Sequence, residues 1–413
     1  MAEILSVSEA RERLITAVTA VETELISIDQ AAGRVLASEI TSHLDLPSFD
    51  NSSMDGFALQ SADITNINPE NPITLKVIAD IPAGIYPTIA LKSGQAARIV
   101  TGAVIPKGGD VVVPVEATNL ERFPPGSELT AEVQILATFK PGANIRRSGE
   151  DIRTGDVILS ARLRLRPQDI GILAMMGVAE VLVYRQPKIG LLSSGDELLP
   201  VGVPLEPGKV YESNAYTLGA LIAQNGGLSI HLGTSPDRIE AVRSSLDQAV
   251  DAKVDLILSS AGVSMGAFDY VRAVLEQDGQ LDFWKVNMRP GKPLAFGHYR
   301  DIPFIGLPGN PVSAFVGFEV FVQPVLVKLA GLPDLSRQTI RTRLLEDVES
   351  DGRESYLRAV VTSENEGWNA RLTGHQGSGN LLSLVRANAL IIIPSGVKFV
   401  PTGSFIQAWL LNH

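Results

Sequence analysis

The stretch over residues 254–269, Val-Asp-Leu-Ile-Leu-Ser-Ser-Ala-Gly-Val-Ser-Met-Gly-Ala-Phe-Asp, constrains this chain more than any other. Residues 254–258 are an apolar run long enough for one buried strand. Ser259 and Ser260 close it, and Gly262, Ser264, Gly266 and Asp269 come next. In open α/β sheets, a buried strand opening into a loop of small residues builds a ligand site at the strand's C-terminal end. Small residues let backbone N–H groups approach an oxyanion. Asp269 adds a hard oxygen of the kind Mg²⁺ takes. An ordinary strand–loop–helix turn is the plainer alternative for the same residues.

Repetition of that pattern sets the fold class. From 188 to 329 apolar runs at 189–193, 228–232, 254–258, 281–285 and 304–307 alternate with helical spacing at 215–223, 239–250 and near 270–275. Such alternation predicts a mainly parallel sheet with helices on both faces. Asp196, Glu197, Asp237 and Asp269 then fall at strand ends on one edge. The loop 285–293 brings Lys285, Arg289 and Lys292 to that edge. Several acids beside several cations fit metal-assisted chemistry on phosphate-like anions. A ring of solvated loop charges is the alternative.

At 413 residues the chain exceeds one core, so two to four domains are expected. Ser6-Val7-Ser8-Glu9 predicts a capped helix start, and residues 34–40 an extended segment. Residues 46–58 carry two aspartates among small polar residues and read as a loop. Short apolar runs at 73–79, 96–100, 111–115 and 132–137 predict a small inserted β domain. Arg146-Arg147-Ser148-Gly149-Glu150-Asp151 is a charged loop, either solvated or an oxyanion clamp. Runs at 355–361, 369–372, 390–393 and 405–410 predict a C-terminal β domain. His375, in the loop between two of those runs, reads as structural, with an anion contact as the alternative.

The formal net charge of −11 argues against nucleic acid and anionic membranes as partners. With no cysteine, disulfides and thiolate metal sites are excluded. The polar start Met-Ala-Glu lacks a signal segment, and Glu319, Gln323 and Lys328 interrupt the apolar run 312–329. The expected location is the cytoplasm.

Taken together, the loops resemble the MoeA-type molybdopterin molybdenumtransferases, the family that includes the gephyrin E domain. The resemblance rests on Phe49-Asp50-Asn51-Ser52-Ser53-Met54-Asp55-Gly56, the Arg146–Asp151 loop and Ser194-Gly195-Asp196-Glu197-Leu198. It continues through Ser259-Ser260-Ala261-Gly262-Val263-Ser264-Met265-Gly266, Pro290-Gly291-Lys292-Pro293, the run from Gly306 to Ser313 and Gly374-His375-Gln376-Gly377-Ser378.

The resemblance implies a three-layer molybdopterin-binding α/β domain (181–330) and an inserted β domain (46–145). It also implies a discontinuous N-terminal helical and extended domain (1–45 and 146–180) and a C-terminal β barrel (331–413). The implied activity is molybdenum insertion from molybdate into adenylylated molybdopterin with release of AMP, assisted by Mg²⁺. Catalytic roles carry over to Asp55, Thr101, Asp151, Glu197, Asp237, Asp269 and Lys285. Substrate contacts carry over to Arg146, Ser194, Ser260, Gly262, Ser264, Gly266, Arg289, Lys292, Pro308, Asn310 and Ser378. Metal ligation would fall to Asp196, Glu197, Asp237 and Asp269. A homodimer is implied, with Asp55 and Thr101 completing the partner's site, together with transient contact with the adenylyltransferase and with cofactor-accepting enzymes.

Two departures stand out. Arg289 occupies a position where many relatives carry lysine, which favours planar, bidentate contacts. Ala261 stands where glycine is commoner. A molybdopterin adenylyltransferase, resembling residues 188–329 alone, and a non-catalytic cofactor-binding scaffold are the alternatives. The loops at Asp55, Arg146 and His375 are superfluous to the first, and retention of every acid argues against the second.

Overall fold

The computed structural model describes residues 4–120, 128–260, 268–333, 337–364 and 367–411. They form two compact units, 1–38 with 161–174 and 178–413, and 39–160 with 175–177.

At the centre of the larger unit is a six-stranded sheet. Its spatial order is Leu228–Ser235, Lys188–Ser194, Leu256–Ser260, Ile302–Leu307, Pro293–Tyr299, Gly279–Lys285. The first four strands are parallel and the last two pair antiparallel. Residues 293–299 had no strand signal of their own, because Pro290, Gly291 and Pro293 mask its start. The central strands are apolar without alternation because both faces are covered. Ile189, Leu191, Leu256, Leu258, Ile305 and Leu307 pack in one layer with the helices Val7–Thr16, Asn214–Gln224 and 311–329. Leu192, Ile257 and Phe304 pack in the other, against Ile239–Asp251 and Phe268–Asp278.

The first helix begins as its sequence predicts. Glu9 N–H donates to Ser6 Oγ at 3.2 Å and Ser6 N–H to Glu9 Oε2 at 2.9 Å, satisfying two end groups at once. The helix Pro311–Leu329 passes a membrane-span test on length and apolarity, with a mean hydropathy of 1.6. Yet 89% of that window is buried inside the unit, so it serves as the core helix. A π turn, Phe318–Val322, interrupts it.

Five C-terminal strands close on themselves. Glu354–Glu364 pairs with both Gly367–Leu372 and Ala389–Ile393. Phe405–Leu410 pairs with Ala389–Ile393 and with Thr339–Leu344, which returns to Gly367–Leu372. The result is a small barrel around Leu357, Ala359, Val361, Ile391 and Ala408. Met288–Arg289 adds to the barrel as a parallel partner of Glu354 and Ser355. This ties the basic loop of the α/β sheet to a barrel strand.

The smaller unit holds a five-stranded sheet in the order Val111–Pro114, Gly56–Leu59, Gln95–Ile99, Ile73–Ile81, Glu132–Ile135. Ile40–Thr41 pairs with Val157–Leu159 in the same unit. The chain passes between the two units at 38/39 and 160/161.

Replacing Ser6 with alanine removes the hydroxyl that accepts from the Glu9 N–H and leaves the Ser6 N–H bond to Glu9 in place. The expected cost is about 1 kcal/mol, read as a lower thermal midpoint with unchanged secondary structure by circular dichroism.

Candidate active site

In the parallel sheet the winding reverses between Lys188–Ser194 and Leu256–Ser260, since the strands after them leave to opposite sides. Loops diverging from such a point leave a crevice at the C-terminal strand ends. A cleft of about 760 Å³ opens there, within the size range of small-molecule sites. Ser194 and Ser260 stand at its base. Ser193 Oγ and Ser260 Oγ are 3.2 Å apart, and the buried Ser194 Oγ has no protein partner.

One wall is cationic. Arg289, Lys292, Arg353 and Arg358 line it, with Gln376, Gly377 and Ser378 from a barrel loop. Arg358 is fully buried. Its Nε donates to Ser383 Oγ at 3.0 Å and Nη2 to the Gly377 carbonyl at 3.1 Å, while Nη1 is buried without a partner. Burial, reinforced by the neighbouring Arg289 charge, pulls this guanidinium down to about 10. A buried cation lacking a carboxylate is costly unless an anion arrives from outside. Asn310 Nδ2 donates to Ser378 Oγ at 3.0 Å, and Val312 N–H to the Ser378 carbonyl at 3.1 Å. Pro308 and Asn310 therefore hold the barrel loop against the sheet's edge.

The acids gather at the ends of two neighbouring strands. Glu197 lines the cleft. Its carboxylate folds back over Gly195, where a Cβ would lie 2.5 Å from Glu197 Oε2. Gly195 has φ +145°, a backbone conformation side chains disfavour, so glycine is favoured there. Asp237 N–H donates to Asp196 Oδ1 at 3.4 Å. Asp237 Oδ1 is buried without a partner. Burial first, then the charges of Asp196 and Glu197, raise the Asp237 carboxyl above its ordinary value.

The smaller unit carries its own polar cluster. Asp55 Oδ1 accepts from Thr101 N–H at 2.7 Å and from Thr101 Oγ1 at 2.8 Å. Arg146 pairs with Asp151. Arg147 Nη1 and Ser148 N–H donate to Asp50 at 2.6 and 2.8 Å. The Ser148 amide, and then Arg147, lower the Asp50 carboxyl. Asn51 and Ser52 pair with Arg146 and Ile145, joining these two loops.

The cleft thus brings together Ser194, Glu197, Ser260, Arg289, Lys292, Pro308, Asn310 and Ser378. Asp196 and Asp237 flank it. Lys285, expected beside Arg289, instead lines a separate depression with Arg13, Arg272 and Glu276. It ends an edge strand of the sheet. Gly262, Ser264, Gly266 and the side chain of Asp269 lie outside the described residues. Asp55, Thr101, Arg146 and Asp151 belong to the other unit. Among the described residues, no three acidic or histidine side chains converge as a ready-made metal site.

Sequence reasoning missed Arg353, Arg358 and Gln376. Arg358 left one signal, a single cation inside the apolar strand 356–361.

Comparison with known proteins covers nearly the whole chain. Residues 5–177 match the "MoeA N-terminal region (domain I and II)", 190–328 the "Probable molybdopterin binding domain" and 341–411 the "MoeA C-terminal region (domain IV)". A molybdopterin molybdenumtransferase of Nostoc sp. is 40% identical over 92% of this chain and 87% of its own length. One from Haemophilus influenzae is 36% identical over 99% of both chains. The crystal structure of a molybdopterin biosynthesis MoeA protein from Pyrococcus horikosii has a TM-score of 0.83 at 28% identity, covering 100% of both chains.

The raised Asp237 carboxyl has a stability consequence. A carboxyl raised by folding favours the native state while protonated, and this contribution is lost as pH rises through the raised value. Asp237→Asn is therefore expected to raise the neutral-pH melting temperature by about 2 °C. The gain vanishes below the ordinary aspartate range, where both proteins are neutral at that position. Melting curves at several pH values measure it.

Proposed function

The chain belongs to the MoeA family of molybdopterin molybdenumtransferases, and from that premise we propose how its cleft performs the insertion. The substrate is adenylylated molybdopterin: water cleaves its phosphoanhydride to AMP and the molybdopterin phosphate, and molybdate forms two Mo–S bonds with the dithiolene as one oxo ligand leaves as water with the two thiol protons. The observation that carries this reading is a single cleft lined both by Glu197, beside Asp196 and Asp237, and by Arg289, Lys292 and the buried Arg358.

Molybdate and phosphate oxygens bind the cationic wall, where Arg289, Lys292 and Arg358 supply charge-assisted hydrogen bonds and Ser378 a hydroxyl, while Arg353 is engaged by Asp351 and the Met288 carbonyl. The fully buried Arg358 supports this role, because its Nη1 lacks any protein acceptor. Ser194 and Ser260 orient the pterin side of the substrate at the strand ends. The acids suit Mg²⁺ in chemistry: Asp237 has an unpartnered oxygen, and two neighbouring carboxylates leave uncompensated negative charge. Asp196, Glu197, Asp237 and Asp269 would hold the ion. An ion held by these carboxylates would supply charge neutralisation for the pyrophosphate. Asp237 or Glu197 takes the proton from the attacking water.

We assign Asp55, Thr101, Arg146 and Asp151 to the site of a second copy in a homodimer. The support is their distance in sequence and their pre-formed hydrogen bonding in a separate unit. Lys285 retains a catalytic assignment by family position. A stand-alone adenylyltransferase would leave the 5–177 and 341–411 regions unexplained.

Purified protein mixed with adenylylated molybdopterin and Mg²⁺ is expected to release AMP only when molybdate is present. Release independent of molybdate, or none, overturns the reading. Arg358→Met is expected to raise the molybdate KM roughly 10- to 100-fold, the effect of losing a charged hydrogen bond. For the shared site, Asp55→Asn and Asp237→Asn are each inactive. Mixing and re-equilibrating their subunits is expected to recover about a quarter of parental activity, from one intact site in each hybrid dimer. No recovery places both residues in one subunit's site.

A further inference from the structure

Away from the reacting groups, a second connection joins the barrel to the α/β sheet. The core helix makes a π turn at Phe318–Val322, in which all five residues are buried. The wider turn shifts the register of the helix C-terminal to it, and such turns concentrate at functional sites. This one turns Glu319 towards the barrel. Its carboxylate pairs with Arg337, and its carbonyl accepts from Arg337 Nη2 at 2.8 Å. Both side chains are withdrawn from solvent, at 9% and 16% exposure.

Arg337 precedes the first barrel strand. Its guanidinium stands 5.1 Å from the ring centre of Trp409, on the last barrel strand. Trp409 packs on Tyr356 with centroids 5.1 Å apart. Tyr356 donates to Glu354 Oε1 at 2.5 Å, and burial first, then Glu354, push its phenol well above the ordinary tyrosine value. Tyr356 belongs to the strand Glu354–Glu364. That strand carries Arg358 and pairs with Met288 and Arg289 at Glu354 and Ser355. A continuous series of contacts therefore runs from the core helix to the two arginines of the cationic wall.

The N-terminal end of the same helix is preceded by Pro308-Gly309-Asn310, which contacts Ser378 from the opposite side. One helix thus fixes the barrel at two points, at the cleft and one face away. A buried ion pair contributes little net stability, while breaking one partner leaves a costly unpaired charge.

We propose that Glu319 and Arg337 are positioning residues for oxyanion binding, setting the stand of Arg289 and Arg358 over the strand ends. The proposal rests on the molybdenum-insertion reading of the cleft, because it is the molybdate and phosphate subsite that is positioned. Neither residue touches substrate. Their effect travels through Trp409 and Tyr356.

The test compares Glu319→Gln, Arg337→Met, their double variant and the conservative Arg337→Lys, by molybdate-dependent AMP release and by thermal melting. Each single variant is expected to raise the molybdate KM about fivefold to tenfold with kcat within about twofold, since misplacement weakens ligand contacts before it removes chemistry. The double variant is expected to match the worse single variant, because the pair acts as one unit. Arg337→Lys is expected to restore much of the loss. Parental KM with lowered melting temperature makes the pair merely structural and overturns the proposal, as does a fall in kcat with KM unchanged. Should Glu319→Gln not fold, the contrast between Arg337→Met and Arg337→Lys decides by the same criterion. A parental protein without molybdate-dependent release defeats the functional reading itself; parental turnover with unshifted variant KM defeats only the positioning role.

Discussion

Where the sheet's winding reverses, beside Ser194 and Ser260, the chain cannot cover its own strand ends, and the rest of the larger unit is built around that gap. Parallel strands demand helices on both faces, so the sheet's edge is the one surface where loops of varied chemistry can meet. Ser194-Gly195-Asp196-Glu197 and Ser235-Pro236-Asp237 leave adjacent strands and bring their acids together. The energetic consequence is visible in Asp237, whose burial and neighbours oppose its ionisation. Such strain is tolerated at a site because a cation or a substrate group relieves it.

The barrel supplies what the sheet lacks. A negative chain that must bind anions has to concentrate its cations, and this one does so by pairing Met288–Arg289 with the barrel strand that also bears Arg358. Arg358 is held by a serine hydroxyl and a backbone carbonyl, both neutral acceptors, so its charge is not cancelled. That is a different design from the smaller unit, where Arg146 and Arg147 are each matched by an aspartate.

The core helix Pro311–Leu329 connects these two parts. It is apolar enough for a bilayer, yet it shares its core with Leu307, Leu390, Tyr356 and Trp409. The one carboxylate at its middle, Glu319, finds Arg337. Hydrophobic burial holds the helix in place, and the ion pair links its middle to the segment that enters the barrel.

By itself, the sequence determined the classes of element and the loops that carry the chemistry. Runs such as 254–260 and the helical spacing of 239–250 are local patterns, and local patterns report burial face and period directly. The capping box at Ser6 and Glu9 was likewise legible, because both partners lie within one turn. Family motifs extended this to Ser194, Glu197, Lys292, Asn310 and Ser378, which meet in one cleft. Tertiary structure alone decided the rest. The strand Pro293–Tyr299 had no isolated signal and exists through its partners on both sides. Lys285 turned to another depression, because a strand's pleat decides which face a side chain takes. Arg358 became a cleft residue only when barrel closure, through its pairing with the distant Leu390 and its bond to Gln376, buried it beside Gly377 and Arg289. Spacing along a chain encodes what is near within a turn or a strand, while which distant charges are left without a partner is settled only by packing.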